Sequence, residues 1–194
     1  MSRRMILVLL VAINVAFVMT AEAQKVETKL ELYVTAKEAY DMWRADPVEV
    51  KILDVRTLAE YVFVGHPPMA YAIPAFFQTH RWDSEREMFA MEPNPEFVAQ
   101  VRKWAEAGDT ILVTCRSGER GAMAVNLLAE AGFTNAYNIV DGMEGGLVKD
   151  PDSVFNGRRM KNGWQNSGLP WTYEINLDQV WIPERFKAAI EQIQ

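Results

Sequence analysis

Between Thr110 and Ala131 the chain changes hydrophobic period across one short, basic, glycine-bearing loop. Ile111-Leu112-Val113 is a short β-branched and apolar run suited to a buried strand, while Ala122 to Ala131 repeats apolar residues at helical spacing. The order is strand, loop, helix, and the only cysteine of the 194 residues, Cys115, stands where the strand ends. In an open α/β sheet that edge is where ligands bind. The loop Arg116-Ser117-Gly118-Glu119-Arg120-Gly121 has the parts of an anion cradle. Its glycines let backbone N–H groups come close, the next helix points its positive end inward, and Arg116 and Arg120 add full charges. Such surroundings favour a thiolate over a thiol, and the thiolate is the nucleophile. Arg116 and Arg120 are therefore expected to bind an anionic substrate, with Ser117, Gly118, Glu119 and Gly121 lending mainly backbone N–H groups and the Glu119 carboxylate turned to water.

Strands and helices alternate along the rest of the chain. Thr35-Ala36-Lys37-Glu38 has the form of a capping box, and Ala39, Tyr40, Met42 and Trp43 continue it as a helix to about Asp46-Pro47. Val50 to Arg56 reads as a strand, residues 75–93 as an irregular aromatic connection, and Asn94-Pro95-Glu96 as the start of a helix that Gly108 ends. The helix after Cys115 should stop at Gly132, and Ala136 to Val140 is a further strand. This alternation predicts an α/β fold with a parallel sheet flanked by helices. Asp54 should accept backbone N–H bonds at its strand end, and Arg56 and Glu60 are spaced to meet across one helical turn. All three are read as structural groups near the site.

Together these residues resemble the single-domain rhodaneses, the thiosulfate sulfurtransferase family. The resemblance rests on the loop Cys115 to Arg120, on Asp54-Val55-Arg56, Glu60-Tyr61, Gly65-His66 and Ile73-Pro74, and on the Asp141-Gly142 turn. The chain departs from the family pattern at Pro67-Pro68-Met69, and it lacks the tryptophan often found after the last strand. The resemblance implies a rhodanese-like central parallel sheet over residues 28–150 and a Cys115 that carries a sulfane sulfur as a persulfide. Phosphatases of related fold use a longer loop, with five residues between Cys and Arg; here Arg116, Ser117, Gly118 and Glu119 alone separate Cys115 from Arg120. That spacing favours a sulfur atom over a phosphoryl group. The expected function is transfer of sulfur from thiosulfate, or a related small anionic donor, to a thiol or protein acceptor. The alternative is a non-catalytic persulfide carrier or docking module in a periplasmic sulfur-oxidation assembly.

At the amino end, Ser2-Arg3-Arg4, the apolar run Met5 to Met19 and Ala21-Glu22-Ala23 match a signal peptide over residues 1–23. Secretion, to the periplasm or beyond, is the expectation, without stable membrane association after cleavage; an uncleaved anchor is the alternative. Losing Arg3, Arg4 and Glu22 would change the net charge from −6 to −7. An acidic protein is a poor ligand for nucleic acid, so an anionic substrate must be attracted locally. One cysteine forms no internal disulfide, and with two histidines, His66 and His80, no metal or other cofactor is expected. His66 should satisfy a backbone carbonyl. The tail, residues 151–194, holds Trp164, Trp171 and Trp181, too much apolar surface for a free linker, and is expected to pack on the domain and to end in a helix from Pro183. Arg158, Arg159 and Lys161 read as a solvated basic turn, or as a docking patch for an acidic sulfur-carrying partner.

Overall fold

A computed structural model describes residues 27–186. The expected signal peptide lies outside the described residues, as does the expected final helix beyond Phe186. Among the described residues no helix is long and apolar enough to cross a membrane.

The elements follow in the order β1 (Tyr33–Val34), α1 (Ala36–Ala45), β2 (Val50–Asp54), α2 (Leu58–Val64), β3 (Ala70–Ala72), β4 (Phe76–Asp83), β5 (Met88–Pro93), α3 (Phe97–Trp104), β6 (Thr110–Thr114), α4 (Glu119–Glu130), β7 (Ala136–Ile139), β8 (Gly146–Leu147) and β9 (Arg159–Lys161). Five strands form one sheet in the order β1-β7-β6-β2-β3, and every pairing in it is parallel. Because successive side chains on a strand point to opposite faces, β2 and β6 each feed two cores. Leu53, Ile111 and Val113 pack with Phe97, Val101, Val125 and Leu128 from α3 and α4. Ile52 and Leu112 pack on the other face with Ala36 and Ala39 of α1, and with Trp164. This is why the strand before Cys115 reads as an unbroken apolar run rather than an alternating one.

Local chemistry sets most of the boundaries. At α1 the Thr35 hydroxyl accepts from the Glu38 amide while the Glu38 carboxylate accepts from the Thr35 amide. A second capping box, Thr57 with Glu60, opens α2, an element the sequence had shown only as one helical turn. After α4, Gly132 takes φ +91 and the Phe133 amide closes back on the Leu128 carbonyl. Helix α4 begins at Glu119 rather than Ala122, so Arg120 is already helical. Asn94 does not cap α3 directly: its carboxamide oxygen accepts from the Glu96 amide and its NH2 donates to the Pro74 carbonyl, and the helix starts at Phe97. It also stops at Trp104, before Gly108.

Two larger differences concern residues 75–93 and the tail. The segment expected to be an irregular connection is an antiparallel hairpin, β4–β5, with a register shift between Gln78 and Trp82. Only Phe76 is buried, with Thr79, Asp83, Ala90 and Met91 half-buried and the rest exposed, so no apolar alternation marks its strands. In the tail, β9 pairs antiparallel with β8, Thr172 and His66 exchange backbone bonds, and Val180 bridges Ala72 in parallel, with the Trp181 amide donating to the Ala72 carbonyl. The chain thus runs back along the free edge of β3. The three tail tryptophans have different surroundings. Trp164 is fully buried against Tyr40, Trp171 lies over Gly65 half exposed, and Trp181 stacks on Phe77.

Candidate active site

Cys115 is the first residue beyond β6, at 1% exposure, and the Gly118 amide donates to its Sγ at 3.1 Å. The thiol therefore lies at the floor of a loop whose following residue opens the twelve-residue helix α4, so backbone N–H and the positive end of the helix both meet the sulfur. The turn after β7 grips this loop from behind. The Met143 amide donates to the Cys115 carbonyl at 2.8 Å, and the Glu144 amide donates to the Arg116 carbonyl at 2.9 Å. Two glycines make this approach possible. A Cβ on Gly118, at φ +99, would lie 2.2 Å from the Val140 carbonyl oxygen, and one on Gly142 would lie 2.6 Å from that of Cys115.

The charged residues are arranged differently from the sequence expectation. Arg56 does not meet Glu60. Its guanidinium folds back on Asp54, with Nη2 at 2.6 Å from the carboxylate, and donates to the Gly65 carbonyl at 2.8 Å. The pair is buried, and burial, which opposes the charge on Arg56, is outweighed by Asp54, so its pKa stands above the ordinary arginine value. Asp54 also accepts from the Arg56 amide, closing the strand end. Glu60 reaches across to Arg120 instead. Arg120 Nη1 and Nη2 donate to its two oxygens at 2.7 and 2.5 Å, a bidentate pair with the Thr57 amide and hydroxyl on the same carboxylate. Burial alone would push Glu60 up, but Arg120 and Thr57 outweigh it and hold the carboxyl at about 2.

Arg120, expected to bind the donor anion, pairs both terminal nitrogens with Glu60, which ties α4 to α2 and keeps a positive charge near Cys115. Arg116 and Glu119 are exposed, Ser117 is half-buried, and Gly121 lies on the buried face of α4 against β7, where a Cβ would lie 2.4 Å from Asn138 Oδ1. His66 is buried, stacked on Tyr61 with ring centroids 3.5 Å apart, and its Nδ1 is 3.1 Å from the Tyr61 carbonyl. Burial pushes its pKa below the ordinary histidine value. Among the described residues no three His, Cys, Asp or Glu side chains are grouped to hold a metal ion.

One residue near the site escaped the sequence reading. Arg159, which the sequence offers as part of a solvated turn or of a docking patch, is half-buried and donates from Nη1 to the Gly145 carbonyl at 2.8 Å, beside the turn that grips the cysteine loop. Only the Gly145-Gly146 pair, which lets β9 return against β8, could have hinted at it.

A parallel sheet with a lone buried cysteine at the carboxyl edge of its middle strand, cradled by a helix amino terminus, is the arrangement of a sulfurtransferase-type domain. The profile of the rhodanese-like domain family matches residues 35–148, and the chain belongs to that family. It is 33% identical to the Arabidopsis thaliana chloroplastic protein named thiosulfate sulfurtransferase 16, over 60% of this chain and 87% of that one. An uncharacterised protein of Rickettsia conorii is 29% identical over 72% of this chain and 96% of its own length. Among solved structures, Rv0390 from M. tuberculosis superposes with a TM-score of 0.55 at 31% identity, covering 73% of this chain and 96% of that one.

Proposed function

We propose that the protein is a thiosulfate sulfurtransferase-type enzyme working through a persulfide on Cys115. The Cys115 thiolate attacks the outer sulfur of thiosulfate or a related sulfane donor, the donor S–S bond breaks, and its electron pair leaves with sulfite. The sulfur stays on Cys115 as a persulfide anion. A thiophilic acceptor, a small thiol or a protein, then attacks the terminal sulfur and restores the Cys115 thiolate. The observation that carries this reading is the 3.1 Å bond from the Gly118 amide to Cys115 Sγ. That bond holds the attacking sulfur at the floor of the loop, in reach of a donor entering from its mouth. The 33% identity to a protein named as a thiosulfate sulfurtransferase supports the choice of donor. The amino-terminal pattern of residues 1–23 supports a periplasmic or secreted setting for it.

The second reading, a persulfide carrier that hands its sulfur to a partner without turnover, shares the first half-reaction. Steady-state assay with thiosulfate and either cyanide or small thiols separates them. Sustained turnover supports the enzyme; one sulfur atom gained per chain, seen by intact mass, with no turnover would replace it with the carrier. No mass gain at all would defeat both.

A further inference from the structure

The charge of a donor anion needs a partner, and Arg120 is committed to Glu60 through both terminal nitrogens. Two other guanidinium groups lie by the cysteine loop. Arg116 is exposed on the loop itself; Arg159 comes from the tail, beyond residue 148 where the family match ends. Among the described residues neither is in an ion pair. Arg159 is carried to the site by the pairing of Leu147 with Arg159 in β8–β9, and is anchored by its bond to the Gly145 carbonyl. That carbonyl closes the turn whose Met143 and Glu144 amides hold the carbonyls of Cys115 and Arg116. The tail fixes the same turn a second time, since the amides of Trp164 and Gln165 donate to the carbonyls of Gly142 and Met143 at 2.8 and 3.1 Å.

We infer that Arg159 and Arg116 together form the anion site of this active centre, so that its donors are sulfane compounds bearing a sulfonate or similar oxyanion, and that the tail completes the site. The inference rests on the sulfur-transfer reading for the identity of the donor. A half-buried guanidinium kept beside another cation, with no carboxylate paired to it, is costly unless an anion joins them. The field at Arg159 has that character. Burial first, and then Arg116, push its pKa down, opposed by Glu144 and Cys115. In an acidic protein these two charges give the mouth a local sign opposite to that of the whole molecule. An oxyanion bridging them would be held beside the loop that carries Cys115, whereas a neutral polysulfide would gain nothing from either arginine.

Alkylation of Cys115 by iodoacetate, an anion, and by iodoacetamide, its neutral counterpart, tests this without any sulfur transfer. Arg159→Ala and Arg159→Gln are measured beside Arg158→Ala, which removes the same charge from an exposed neighbouring position. The Gln variant keeps a donor for the Gly145 carbonyl, so it reports the charge apart from the anchor. Removing Arg159 should lower the iodoacetate-to-iodoacetamide rate ratio about tenfold, as expected for one lost charge-assisted contact. Loading from thiosulfate should fall in parallel and loading from a neutral organic trisulfide should stay within about twofold of the parent. Arg158→Ala should leave the ratio in place. An unchanged ratio in the Gln variant, or an equal fall for both reagents, would overturn the inference. A parent that keeps the charge selectivity yet takes no sulfur from either donor would instead overturn the proposed function and leave the anion site standing.

Discussion

Glu60 matters to this protein through its partner. Its carboxyl is held at about 2, against an unfolded value of about 4.3, because Arg120 and Thr57 bind the ionised form. A depressed carboxyl contributes stability that is fully present above the unfolded value and is lost as pH falls through the folded one. Glu60→Gln should therefore lower stability by about 2–3 kcal/mol at pH 7, a little under the cost of breaking a fully buried pair. The gap between variant and parent in denaturant titrations should narrow as pH drops from about 5 towards 2. Shifts at Glu38 and Asp109, also downward, are common to both proteins and cancel in the difference. A gap that stays constant over that range would show that the ion pair does not carry the effect. At Cys115 the expectation is opposite in kind. Cys115→Ser keeps a small group at the loop floor and should keep the fold, but a hydroxyl with no base beside it should gain no sulfur on thiosulfate treatment, as read by intact mass.

At the scale of the element, the two capping boxes provide a paired test. Thr35 and Thr57 make the same reciprocal bonds at the starts of α1 and α2, and replacing either by Ala should cost about 1 kcal/mol in urea unfolding. Only Thr57 also holds the carboxylate that holds Arg120. Thr57→Ala should therefore slow sulfur loading at Cys115 as well, while Thr35→Ala should not; equal loading rates in the two variants would detach α2 from the site. The same contrast explains what could be read from the residues alone. A capping box at Thr35, an apolar run at Ile111 to Val113 and a glycine stop at Gly132 are decided by neighbours within four residues, and each is where the sequence placed it. The β4–β5 hairpin has few buried side chains, so it lacks the period that marks a strand against a core. Glu60 and Arg120 are brought together only by the fold, through long side chains from α2 and α4, and no local spacing distinguishes that pair from Arg56 with Glu60. Arg159 was hidden for the same reason: its position depends on where β9 docks, not on what surrounds it in sequence.

For the whole molecule, the family match ends at residue 148 but the core does not. Trp164, wholly buried, closes the face of the sheet that carries Ile52, Leu112 and Ile139, and its indole N–H donates to the Pro170 carbonyl at 2.8 Å. Val180 and Trp181 cover the edge of β3, which would otherwise present unpaired backbone groups. Each large apolar side chain so buried contributes roughly 1.5–3 kcal/mol, and a domain's whole margin is about 5–15 kcal/mol. Deleting Asp152 to Gln194 should then produce a marked fall in melting temperature or an insoluble chain. Trp164→Ala alone should account for much of it, at about 3–5 kcal/mol. The deletion also removes Arg159 and the two amides that brace Gly142 and Met143, so any soluble remnant should load sulfur at Cys115 more slowly than the full chain. Thermal unfolding and persulfide loading measured on one truncated sample test both consequences. A remnant that melts with the parent and loads from thiosulfate at the parent rate would mean that the tail is an attachment serving a partner, and that the boundary at residue 148 is the true limit of both core and site.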